Sequence, residues 1–205
     1  MKGKIKMKKI SNILRQDWKI LIIIALEFVI GVYFYKLIPN RIPIHWNASG
    51  KVDSYAGKAF GIFSTPLISL GIYILLLILP VIDPKRKNYE KFKSTYQFLK
   101  YLMIISLFAV ELIIILTATG YSINVSILTQ IMGSLVIILI GNVMGRFKYN
   151  YFVGIRTPWT LASEEVWRKT HRITGPLWVM SGILIIFFSF AKINFNYIIL
   201  ILILG

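Results

Sequence analysis

Residues 154–175 read Gly154-Ile-Arg-Thr-Pro-Trp-Thr-Leu-Ala-Ser-Glu-Glu-Val-Trp-Arg-Lys-Thr-His-Arg-Ile-Thr-Gly175. Apolar runs flank this polar segment on both sides, at 125–145 and 176–191, and each is a candidate for crossing a bilayer. Two tryptophans, three arginines, a histidine and two adjacent glutamates in twenty-two residues are too particular for a plain connector. The segment is therefore read as a working surface strung between two membrane spans.

The rest of the chain supports that solvent. Of 205 residues 57 % are apolar, and the mean hydropathy is +0.70, beyond the usual globular share. The apolar residues come in blocks rather than at a helical or strand period. A net charge of +16 would point to nucleic acid in a soluble protein. Here the cations sit in the gaps between apolar blocks, as in loops held on the cytoplasmic side of a membrane, and no direct nucleic-acid partner is expected. There is no cysteine, which excludes disulfides and thiolate metal sites.

Taken outward from the quoted stretch, the spans are expected at 20–38, 60–82, 101–119, 125–145 and 176–191. The first is 19 residues long, about 28 Å as a helix, against a hydrocarbon core of about 30 Å. It is long for a signal-peptide core, and Lys36-Leu-Ile-Pro39 offers no small-residue cleavage site, so it is read as retained. Residues 193–205 are apolar but only 13 long, a partial or thinned sixth span. Lys and Arg fall 7, 4, 6, 0, 6 and 1 in successive gaps, an alternation that places residues 1–19, 83–100 and 146–175 in the cytoplasm. The fold class is thus all-α, a polytopic transmembrane bundle of five to six spans with a cytoplasmic N-terminus.

Candidate chemistry is sparse. Glu27 and Glu111 fall inside apolar spans, where an ionised side chain is costly and faces the bundle interior or a wet cavity. They read either as a proton or cation relay of a small transporter, or as carboxyls hydrogen-bonded to neighbouring helices that hold the bundle together. His45 and His171 are placed on opposite sides of the membrane, so no shared metal is expected. His45 with Asn47 and Asp53 forms either a small external polar pocket or plain turn chemistry. No Ser/His/Asp set, nucleophile elbow or phosphate-cradling glycine motif is present, and the chain is not expected to be an enzyme or to carry a cofactor.

Within residues 146–175, Thr157-Pro158 disfavours helix at Thr157. Ser163 is a candidate N-cap with Glu164 and Glu165 in the first turn, followed by i, i+4 pairs Glu164–Arg168 and Glu165–Lys169. Trp167 and His171 share a helix face, and Gly175 is expected to end this helix before Pro176 opens the last span. The helix either lies in the headgroup layer against the lipid bilayer or offers a docking surface.

Gly141-Asn142 with Gly145, Asn150, Val153-Gly154-Ile-Arg156-Thr157-Pro158-Trp159-Thr-Leu161, Val166-Trp167 and Thr170-His171-Arg172 resemble the signature of the SdpI family. These are integral membrane proteins named for immunity to a secreted sporulation-delaying peptide toxin. Pro39, Pro43-Ile-His45-Trp46-Asn47, Gly50 and Asp53 resemble the DUF1648 module that commonly precedes the SdpI region. The resemblance implies about six helices in a bacterial cell membrane, with a basic N-terminus at 1–19, a DUF1648-like region at 20–98 and an SdpI-like region at 99–205. It also implies protection against a secreted, membrane-active peptide toxin and a receptor role that holds an ArsR-type autorepressor at the cytoplasmic face. The chain departs from the pattern in ending soon after Ile193.

Overall fold

A computed structural model describes residues 2–47 and 50–191. Among the described residues, six α-helices, one 3₁₀ segment and one hairpin follow in order: α1 Lys2–Tyr35, β1 Arg41–Trp46, β2 Val52–Gly57, α2 Lys58–Ile82, a 3₁₀ segment Arg86–Phe92, α3 Lys93–Ala118, α4 Val125–Met144, α5 Pro158–Ala162 and α6 Glu164–Phe190. Among the described residues, five helical stretches are long and apolar enough to cross a membrane: Arg15–Tyr35, Lys58–Ile82, Arg86–Ala118, Val125–Met144 and Glu164–Phe190. The sixth span expected at 193–205 lies outside the described residues. The bundle has two differently built ends, which we call the hairpin end and the loop end.

At the hairpin end, the turn chemistry of 39–58 gives an antiparallel β-hairpin where sequence reading expected only a short folded loop. Asn47 anchors the turn through its carboxamide oxygen, which accepts from Lys51 N–H at 3.0 Å. Gly50 has φ of 75°, and a Cβ there would lie 2.8 Å from Ser126 Cβ at the start of α4. The turn thus needs a glycine both for its backbone and for its approach to α4. Ile42 is fully buried with Ile38, Ile62 and Ile114, and a Cβ on Gly61 would meet the Ile42 side chain at 2.6 Å. These contacts seat the hairpin on α2 and α3.

Helices α4 and α6 approach through small residues. A Cβ on Gly141 would lie 2.7 Å from Gly175 O, and one on Gly182 would lie 2.9 Å from Ser134 O. Small residues let the two backbones come close enough for dispersion and interhelical hydrogen bonds to hold them. Ser189 Oγ donates to Gln130 Oε1 at 2.7 Å across the pair. This corrects one boundary. Gly175 does not end a helix, because α6 runs unbroken through Gly175 and Pro176 to Phe190. Its glycine serves close packing rather than a left-handed cap. Helix α2 runs through Pro80 and ends at Ile82, as expected for the second span.

Helix α3 starts at Lys93, eight residues before the expected span. The stretch that looks polar carries an apolar stripe, Phe92, Tyr96 and Leu99, buried with Tyr89, Val143, Phe147 and Trp167 at the loop end. One consequence is a correction for Lys100, read from sequence as a cytoplasmic loop cation. It is buried inside the bundle, donating to both carboxylate oxygens of Asp17 at 2.7 and 2.6 Å.

Candidate functional site

The loop that follows α4 folds around one asparagine. The Asn150 carboxamide oxygen accepts from Phe152 N–H at 2.9 Å and Val153 N–H at 2.7 Å, while its NH₂ donates to Lys148 O and Val153 O. Asn150 is fully buried, so each of these bonds satisfies a group that water cannot reach. The neighbouring 83–92 segment is tied to the same loop. Asp83 Oδ2 accepts from Tyr151 N–H at 2.9 Å and from Tyr89 OH at 3.0 Å, and Asn88 Nδ2 donates to Tyr149 O at 2.7 Å.

Trp167 and His171 form the wall behind this loop. One helical turn apart on α6, their rings stack at 4.2 Å between centroids. Trp167 Nε1 donates to Phe147 O at 3.0 Å. His171 Nδ1 donates to Trp167 O at 2.8 Å and its Nε2 accepts from Ile155 N–H at 3.0 Å, which together define the neutral Nδ1–H tautomer. The chain can pass this wall only as glycine. Gly154 has φ of 122°, and a Cβ there would lie 2.4 Å from His171 Nε2 and 3.0 Å from the Trp167 ring.

Next comes the single-turn helix α5. Thr157 and Thr160 form a capping box, with Pro158 at the first helical position, where its missing N–H is not needed. Ser163 then caps α6, accepting from Val166 N–H, with Glu164 and Glu165 in the first turn as the dipole favours. Of the two expected charge pairs, Glu165–Lys169 closes at 2.8 Å on an exposed surface, and Glu164–Arg168 does not close among the described residues.

The candidate residues therefore divide by burial. Asn150, Trp167 and His171 are buried, and Gly154 and Thr157 are partly so; these build the loop. Arg156, Pro158, Trp159, Arg172 and Asn142 are exposed. Trp159 is 72 % exposed, and Arg156 is steadied by donating from Nη1 to Tyr151 O at 3.2 Å. The loop thus holds an indole and a guanidinium outward on a rigid support. Asp83 and Asn88 were missed by sequence reading, since nothing in a basic loop marks which polar side chains will turn inward.

At the hairpin end, His45 Nδ1 and Asp53 Oδ1 are 2.5 Å apart across the strands, both solvent-accessible. Trp46, Asn47 and Gly50 line a cavity of about 380 Å³ shared with Val110 and Ile113 of α3 and Thr129 and Gln130 of α4. Pro43 pairs with Tyr55 in the hairpin. His45 lies in this hairpin and His171 against the loop; no cluster of three or more metal-ligating side chains occurs among the described residues.

Five apolar helices, a hairpin at one end and a polar loop cap at the other define a multi-pass membrane protein. Residues 146–205 match the model of the SdpI/YfhL protein family, and residues 22–70 match a domain of unknown function, DUF1648. Immunity protein SdpI of Bacillus subtilis (strain 168) is 31 % identical over 183 residues, which cover 89 % of this chain and 84 % of that protein. The chain belongs to the SdpI family. No solved structure matches it.

Proposed function

We propose that this protein is a non-enzymatic membrane immunity protein that protects its cell against a membrane-active peptide toxin. The observation that carries this reading is its identity to immunity protein SdpI along most of both chains. The two ends of the bundle suit complementary tasks. The cavity under the hairpin, apolar at Val110 and Ile113 with polar groups at Thr129 and Gln130, accommodates an amphipathic peptide side chain. The loop end, with Trp159, Arg156 and Arg172 outward, is the face for a cytoplasmic partner. In this reading the N-terminus is cytoplasmic, the hairpin is external, and the partner is the ArsR-type repressor implied by the family resemblance. Arginine and tryptophan held on a preorganised support are the side chains that dominate binding at such surfaces.

The test is expression in a toxin-sensitive strain. Arg156→Ala and Trp159→Ala should leave the protein at wild-type abundance in the membrane, since exposed substitutions usually change stability by less than about 0.5 kcal/mol. We expect both to keep protection and to release a membrane-recruited repressor into the soluble fraction. Substitution of Trp46, at the cavity, should restore sensitivity. Unchanged sensitivity of cells carrying the intact wild-type protein in their membranes would refute the immunity reading.

A further inference from the structure

Two carboxyl side chains from different helices meet inside the α1–α2–α3 unit, and the immunity reading makes no use of them. Glu27 and Glu111 are 0 % and 1 % exposed. Ser69 of α2, also fully buried, donates to Glu27 Oε1 at 3.0 Å. The other three carboxyl oxygens, Glu27 Oε2 and both of Glu111, have no hydrogen-bond partner among the described residues. Glu111 Oε1 reaches the α1 surface at Gly31, one turn beyond Glu27, where a Cβ would lie 3.7 Å from it.

A buried acceptor without a donor costs about 1–3 kcal/mol, and more if charged. Three such oxygens on two carboxyls leave the pair unsatisfied by the donors around it. Among the described residues no buried cation is available as a countercharge. Among the described residues the buried basic side chains are Lys100 and His171. Lys100 is committed to Asp17, and His171 to Trp167 O and Ile155 N–H. No described side chain is then left to supply the positive charge.

We propose that Glu27, Ser69 and Glu111 form an intramembrane site for a small hard monovalent cation, a proton or Na⁺. An all-oxygen donor set selects hard cations over soft ones. The set offers at most five side-chain oxygens, two from each glutamate and one from Ser69. That is too few for Ca²⁺, which takes six to eight oxygens. The site is independent of any toxin, so it stands or falls apart from the immunity reading.

The experiment uses the full-length protein in lipid nanodiscs at neutral pH. Infrared spectra read the C=O stretch of protonated carboxyls, and thermal unfolding is followed in NaCl against choline chloride at equal ionic strength. If the proton is the cation, the wild type shows a protonated-carboxyl band that NaCl leaves unchanged and that E27Q/E111Q lacks. If Na⁺ is the cation, the unfolding midpoint of the wild type rises by several degrees with NaCl, and the midpoint of E27Q/E111Q does not. Should the double variant fail to fold, E111Q and Ser69→Ala assign the same signals singly. A wild type with neither the band nor the sodium shift overturns the proposal.

Discussion

Two buried polar clusters sit in the same three helices, about ten residues apart along α1, and they are built on opposite principles. Around Asp17 every valence is closed. Lys100 donates to both carboxylate oxygens, Gln97 Nε2 donates at 2.6 Å and Tyr73 OH at 3.2 Å. Around Glu27, Ser69 is the one hydroxyl donor among the described residues, and a second acid reaches α1 where a base would be expected. A fully satisfied pair fixes which helix faces meet and leaves nothing to exchange with the surroundings. An unsatisfied pair of acids is a place where something can bind and leave. The contrast separates a fastener from a site within one bundle, by hydrogen-bond accounting alone.

The largest effect expected from this contrast is at Lys100. Lys100→Met keeps the buried volume but strands the Asp17 carboxylate, and breaking one side of a buried pair costs about 3–5 kcal/mol. Unfolding by SDS titration in mixed micelles should show that loss. Adding Asp17→Asn to Lys100→Met should recover a good part of it, because the orphan charge is gone. A loss below 1 kcal/mol for the single variant would mean that water reaches Asp17, and the contrast between the clusters would break.

How much of this was legible beforehand differs between the two clusters. Glu27 and Glu111 stood out because an acid inside an apolar run is visible in one dimension. Their meeting was not, since it depends on how α1 and α3 rotate about their axes. Lys100 and Asp17 hid in plain view: in stretches rich in cations, a window average cannot tell a lysine that faces solvent from one that faces a partner 83 residues away. At the loop end, the Ser163 cap and the Trp167–His171 face were readable because caps and i, i+4 neighbours are local. Gly175 misled for the complementary reason. Glycine before proline has the local signature of a helix stop, whereas here it answers to Gly141 on another helix. What local sequence encodes was read, and what neighbouring helices decide was not.

A middle-sized effect separates the clusters from the Glu27 side. Ser69→Ala removes that carboxyl's hydroxyl donor, and an acceptor left buried without a partner costs about 1–3 kcal/mol. If a cation occupies the site, part of that cost is already met, and the loss should shrink as the cation is added. SDS titration of Ser69→Ala across a series of NaCl concentrations reads this directly. A loss that stays constant across the series argues for the proton over Na⁺.

The smallest effect should come from the corresponding hydroxyl on the closed side. Tyr73→Phe deletes the longest of the four bonds to Asp17, the one at 3.2 Å, and leaves Lys100 and Gln97 in place. A hydrogen bond whose acceptor keeps other partners is worth about 0.5–1.5 kcal/mol net, and the phenyl ring retains the packing of a side chain that is 4 % exposed. Unfolding of Tyr73→Phe should therefore fall near the bottom of that range and be indifferent to salt identity, because the site around Asp17 has no vacancy for a cation to fill. If Tyr73→Phe were instead as costly as Lys100→Met, the tyrosine would be holding the ion pair together rather than merely adding to it. Asp17 would then depend on a single neutral donor much as Glu27 does, and the two clusters would differ in charge but not in design.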